Sequence, residues 1–136
     1  MRAYRESFEP SEGFERPSAI LAVAVVCGET DEHAGILATS MELAWARMRS
    51  GKPGPLPSPE EAMAYPYTPA ERHLADTYRY MQVVGGPRTV RARLEELAEH
   101  TATDEVMVTT NICDHAERLR SYERLAEAFE IATPGK

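Results

Sequence analysis

Nine consecutive apolar residues, Ala19 to Cys27 (AILAVAVVC), stand between the Pro17-Ser18 pair and Gly28. A valine-rich run with no polar alternation suits a strand buried on both faces, as in a parallel sheet. Parallel partners cannot be joined by a tight turn, so helices must carry the chain from one strand to the next by right-handed crossovers. The rest of the sequence can be sorted around this strand.

Thr30 stands at a helix N-cap, with Asp31 and Glu32 in the first turn. Leu37, Met41, Ala44 and Met48 recur at helical spacing and Gly51 ends the pattern, which predicts an amphipathic helix packed on the sheet. A methionine stripe of this kind could line a cofactor pocket, but core packing is the expectation. Residues 50–67 (SGKPGPLPSPEEAMAYPY) hold half of the prolines in the chain, so this stretch reads as a long loop, neither helix nor central strand, of the type that forms lids and binding loops. TPAE at 68–71 is a capping box with proline at the first helical position, and it predicts a helix to about Tyr80.

QVVGGPRTV at 82–90 raises the question of a phosphate cradle. Gly86 and Pro87 suit the start of a helix whose stripe is Val90, Leu94 and Leu97, running to about His100. Its first amides could hold an anion. The motif lacks the longer glycine pattern and the lysine of a nucleotide loop, so a plain helix start is the expectation. In residues 104–112, Val106, Val108, Thr110 and Ile112 alternate with Met107, Thr109 and Asn111, a second strand. DHAE at 114–117 then predicts a capping box for a last helix with Leu119, Tyr122, Leu125 and Phe129 as its buried stripe.

Charge and composition exclude several classes. The 15 basic and 22 acidic residues give a net charge of −7, unsuited to non-specific attraction to nucleic acid or anionic lipid. No apolar run approaches the ~20 residues of a membrane span. A charged N-terminus without an apolar core points to the cytoplasm as the default, where Cys27 and Cys113 are expected to be reduced thiols rather than a disulfide between strand ends. His33, His73, His100 and His115 lack paired metal spacing, so no metal site is expected, and no nucleophile elbow or triad order is present.

Four segments carry a resemblance. YRESFEPSEGFERP at 4–17, LAVAVVCGETDEHAGILATS at 21–40, VVGGPRTVRARLEEL at 83–97 and DEVMVTTNICDHAERLRSYERLAEAF at 104–129 together resemble the C-terminal portion of a bacterial luciferase-like, flavin-dependent monooxygenase. The resemblance covers nearly the whole chain. It implies an α/β fold that is part of a (β/α)8 TIM barrel: the last two parallel strands with covering helices, completed by oligomerisation or by an N-terminal portion not included here. It also implies reduced flavin (FMN, or a deazaflavin in some relatives), molecular oxygen and a small organic substrate.

In the family's turn corresponding to 85–88, Ser or Thr followed by an acid is common; Gly86 and Arg88 stand there instead, which weakens a side-chain cap. The chain also starts at Met1 partway along what would be a family helix. Barrel sites lie at the C-terminal ends of strands, which puts Thr110 and Asn111 at the mouth; these, with Gly85 and Gly86 at the helix start, are the expected cofactor-binding residues. Asn111 could hydrogen-bond a flavin ring or substrate, or be a loop residue that caps its own turn. Cys113 near a helix N-terminus could be a reactive thiol, though a packed spectator is the expectation. No catalytic residue is assigned. A rival reading is a non-catalytic, self-associating shortened barrel module.

Overall fold

In a computed structural model, residues 2–131 are described. The chain runs α1 (Arg2–Glu6), β1 (Ile20–Cys27), α2 (Asp31–Arg49), α3 (Pro59–Ala64), α4 (Pro69–Tyr80), β2 (Gln82–Gly85), α5 (Pro87–Thr101), β3 (Glu105–Thr109) and α6 (His115–Ala128). The three strands form one parallel sheet in the order β2-β1-β3. None of the described helices is long and apolar enough to cross a membrane.

The apolar run from Ile20 is the central strand, as its composition demands. Its first half pairs with β3, from Ile20 opposite Glu105 to Ala24 opposite Thr109, and its second half with β2, from Ala24 opposite Gln82 to Cys27 opposite Gly85. Alternate residues then divide between two cores. Val23, Val25 and Cys27 pack with Val83, Val90 and Leu94 and with Leu125 of α6. Val26 points the other way, onto Ala34, Leu37 and Ala38 of α2 and onto Ile112. Burying each such aliphatic side chain stabilises the fold by roughly 1.5–3 kcal/mol.

The two strands expected from the sequence, β1 and β3, pair directly and in parallel, while β2, which lies between them in the chain, takes the other edge of β1. Beyond the reach of α2, the face opposite α5 and α6 is bare: Ile20 and Met107 are 51% and 53% exposed, and Ala22 and Thr109 are also open. Helices on one side of this pair and an uncovered apolar strip on the other are consistent with a partial barrel.

Several expectations need correction. A third strand, β2, lies inside QVVGG; with four residues it is too short to show a period, and its glycines read as a helix start. Part of 50–67 is helical after all: α3 begins with Ser58, whose Oγ accepts from the Glu61 N–H at 3.2 Å, and Pro59 occupies the first turn, where it has no helical hydrogen bond to lose. The strand after Asp104 stops at Thr109 rather than continuing to Ile112.

In α2 the buried side is Ala34, Leu37, Ala38, Leu43 and Ala46, while Met48 is exposed, so the methionine stripe is not the core stripe. In α6, Leu125 is buried but Leu119 and Tyr122 are half exposed. The helix caps follow the sequence more closely. Thr68 and Glu71 form the full reciprocal box. Asp114 accepts from the Glu117 N–H at 2.8 Å, while Glu117 turns to arginines instead of back to the cap.

Candidate functional site

At the C-terminal end of the sheet, β1 turns at Gly28, where a Cβ would lie 2.4 Å from the Ala34 nitrogen. Only glycine lets the first turn of α2 come so close to the strand. The Gly28 N–H donates to the Gly85 carbonyl at 3.0 Å, tying this turn to β2.

Asp31, in the first turn of α2, resolves the question raised by QVVGGPRTV. Its Oδ1 accepts from the Gly86 N–H at 2.6 Å and its Oδ2 from the Thr89 hydroxyl at 3.1 Å. The anion at the start of α5 is therefore a carboxylate of the chain itself. Gly85 leaves room for it: a Cβ there would lie 2.9 Å from Asp31 Oδ1 and 2.7 Å from Thr89 Cγ2. The Gly86 amide first, then the Thr89 hydroxyl and the charge of Arg88, hold the Asp31 carboxyl below its usual range against a small opposing effect of burial.

The middle of α6 fastens the end of β1. The buried Ser121 hydroxyl accepts from the Cys27 N–H at 3.0 Å, and Arg124 Nη1 donates to the Cys27 carbonyl at 3.2 Å. Arg124 also reaches Glu117 Oε2 at 3.4 Å, and Arg120 donates to Glu117 Oε1 at 2.6 Å. Burial pushes the Glu117 carboxyl up, but the Arg120 and Arg124 hydrogen bonds outweigh it and hold the group below its usual range. His33 lies on the other side, its Nε2 3.9 Å from Glu117 Oε2, while its Nδ1 accepts from the Glu29 N–H at 3.2 Å. With Nδ1 as the acceptor, Nε2 is the nitrogen that faces the carboxylate as a donor. Burial raises the Cys27 thiol, with Arg124 opposing, so it stays a protonated core group.

After β3 the chain alternates sharply. Thr110 is buried and its N–H donates to the Tyr122 hydroxyl at 3.1 Å; Asn111 is exposed; Ile112 is buried again in the second core. Asn111 is thus an outward amide held between two anchors. The Thr110 hydroxyl oxygen is buried with no hydrogen-bond partner among the described residues. Cys113 is exposed and free, as Cys27 is free and buried, and its Sγ lies 3.7 Å from the Leu56 carbonyl. That contact brings the proline-rich loop to the strand ends.

All four expected residues therefore lie at or beside the strand ends. Asn111 is open, Thr110 is turned inward under α6, and the Gly86 amide is already committed. Sequence reasoning missed Ser121, Arg124 and the His33–Glu117 pair. The spacing of Glu117, Ser121 and Arg124, at i, i+4 and i+7 of one helix, was the available signal.

This is a parallel α/β unit with hydrogen-bonded strand ends and an uncovered strip on one face of the sheet, a layout consistent with part of a barrel. No protein-family model matches the sequence. The chain is 33% identical over 130 residues to a luciferase-like monooxygenase of Escherichia coli (strain K12), covering 96% of this chain and 39% of that protein. It is 44% identical to YceB of Bacillus subtilis (strain 168) over 94% of this chain and 39% of that relative. Among solved structures, that of apo-MsnO8 matches with a TM-score of 0.85 at 34% identity, over 96% of this chain and 40% of the other. The chain thus spans about two-fifths of the length of these relatives. The likeness supports a luciferase-like oxidoreductase family.

Proposed function

We propose that this chain is the C-terminal portion of a luciferase-like, flavin-dependent monooxygenase that uses reduced flavin and oxygen on a small organic substrate. The observation that carries the reading is the likeness of nearly the whole chain to a luciferase-like monooxygenase and to the apo-MsnO8 fold, together with strand ends that are ordered and polar. The residues fit a flavin ring in one respect: Asn111 offers an exposed amide between fixed anchors, whereas the unpartnered Thr110 hydroxyl beside it is buried. The Gly85-Gly86 pair fits less well as a phosphate cradle, since Asp31 fills it; these glycines contribute shape.

When bound, reduced FMN would supply the electrons by which oxygen is activated, whereas a deazaflavin in its place would supply a hydride to the substrate without oxygen; in either case the protein's work is to bind, orient and exclude water. Asn111 would donate to or accept from the ring edge. Ser121 and Arg124 hold the β1 terminus in place, and loop 50–67, already in contact with Cys113, would cover the mouth.

A second reading, a self-associating module without catalysis, is favoured by one feature. Leu94, Val106, Val108, Leu125, Phe129 and Ile131 line an open, mainly apolar groove of about 620 Å3 beside the β3 edge. Such a surface invites a partner.

Titration of the chain with oxidised and reduced FMN, followed by flavin fluorescence with the mass recorded in the same buffer, tests both. Saturable binding that Asn111→Ala weakens supports the flavin reading. A colourless oligomer that leaves flavin fluorescence unchanged favours the module. If Asn111→Ala in the complete barrel leaves flavin affinity and turnover unchanged, Asn111 is removed from the site.

A further inference from the structure

The open edge of β2 carries a pocket that the strand ends do not use. It has a volume of about 210 Å3 and is lined by Arg79 at the end of α4, Gln82 and Val84 of β2, and Thr89 and Arg93 of α5. Both charged side chains in its wall are guanidinium groups, which donate hydrogen bonds and accept none. No carboxylate lines the wall itself, although the chain carries a net charge of −7.

The acidic groups nearby are already engaged. Arg79 donates through Nε to Glu42 and through Nη2 to the Gly35 carbonyl at 3.1 Å, which fixes its guanidinium plane. Asp31 is held by the Gly86 N–H and by the hydroxyl of Thr89. Arg93 lies 3.8 Å from Glu96 with a side chain 65% exposed, a loose surface pair that leaves it able to turn inward.

Two amides complete the wall. Gln82 is only 9% exposed, and its Nε2 is buried with no hydrogen-bond partner among the described residues. A buried donor left unmet is costly, so its place beside two cations is informative. Gly85 gives its carbonyl to the Gly28 N–H, so the alternation of a parallel ladder turns the Val84 N–H to the open edge.

We propose that this pocket binds a small oxyanion of the phosphate or sulfate class. The Gln82 and Val84 amides are its close donors, and Arg79 and Arg93 supply the charge. Its volume lies below the roughly 300–1,000 Å3 that encloses a drug-sized ligand, so it recognises the ion or a single phosphoryl group rather than a whole nucleotide. This assignment needs no flavin, but it does require that the β2 edge stays unpaired.

The test is a titration of the full, 15N-labelled chain with inorganic phosphate at constant ionic strength set by sodium chloride, read by amide chemical shifts. Saturable shifts of the Gln82 side-chain NH2 and the Val84 amide are expected. Arg93→Gln, at an exposed position that keeps the fold, should weaken the apparent affinity about tenfold, the scale of one charge-assisted hydrogen bond, and Gln82→Leu should abolish the effect. A parallel titration with FMN separates the sources of the group: shifts with phosphate alone assign a free ion, and equal shifts with both assign any accessible phosphoryl group. Shifts with FMN only, shifts that rise linearly or are reproduced by chloride, or affinity undiminished in both variants would overturn the proposal.

Discussion

Ser121→Ala isolates the contact that joins α6 to the end of the central strand. Ser121 and Cys27 are fully buried, and the serine hydroxyl is the acceptor for the Cys27 N–H at 3.0 Å. Alanine removes one oxygen and almost no volume, so the cavity contribution is small and the effect is that of a buried donor left without an acceptor. Such a loss costs about 1–3 kcal/mol. A central value near 2 kcal/mol lowers the folding equilibrium constant roughly thirtyfold. Urea unfolding should show an earlier midpoint with an unchanged slope, because the surface exposed on unfolding is the same. Hydrogen exchange of the Cys27 amide should accelerate by a larger factor than that of Val25, whose environment is untouched. Ser7→Ala, at an exposed position, is the control and should stay within about 0.5 kcal/mol of the parent. A Ser121→Ala chain with a midpoint equal to that control and a protected Cys27 amide would refute the reasoning, since the donor would then have found another partner.

Gly28→Ala places a methyl group 2.4 Å from backbone of α2; no rotamer relieves that, so a loss of about 1–3 kcal/mol or more is expected in the same unfolding assay. Asp31→Asn should reduce the acid sensitivity of the fold. The folded-state carboxyl is depressed, chiefly by the Gly86 amide, so its contribution is present above the unfolded value of about 3.8 and disappears as pH falls through the lower folded value. Melting temperature measured from pH 5 down to pH 2 should therefore fall less steeply in the variant, and parallel curves would remove Asp31 from the linkage. A chromogenic thiol reagent should titrate one cysteine in the native chain, exposed Cys113, and two in urea, when buried Cys27 is released; two fast thiols in the native state would contradict the packing described.

The legible part of the fold was the part governed by long, regular patterns. AILAVAVVC announced a central parallel strand because a strand buried on both faces leaves no room for alternation, and it sits between β2 and β3. Thr68 and Asp114 announced helix starts because capping is local chemistry. What failed was short or depended on the third dimension. Four residues of β2 cannot display a period. The stripe Leu37, Met41, Ala44, Met48 is a correct helical period, but the side of α2 that is buried is set by where the sheet and α4 lie, and it rotates toward Leu43 and Ala46. Leu119 and Tyr122 follow the period of α6 yet remain half exposed, because none of the described residues covers that flank. At the site, the positions of the strand ends could be inferred from the rule that barrel loops carry function. That Asp31, 55 residues away, would occupy the Gly86 amide could not.

That occupation bears on how the strand ends would work. Asp31 joins the β1 and β2 turns, Ser121 and Arg124 join β1 to α6, and buried Ile112 anchors the residue after Asn111. Every one of these contacts is made within the chain, and the backbone that carries Asn111 is held on both sides, by the Thr110 N–H on the Tyr122 hydroxyl and by buried Ile112. The inner strip of Ile20, Ala22, Met107 and Thr109 has no such support and remains open. Preorganised hydrogen-bonding groups reduce the ordering cost of binding, but affinity also requires surface removed from water. On the flavin reading, then, the chain contributes a positioned amide and a tethered loop, while the apolar strip gains its role only when covered. Flavin affinity should therefore follow coverage of that strip, and substitution at Asn111 should matter most once the strip is closed.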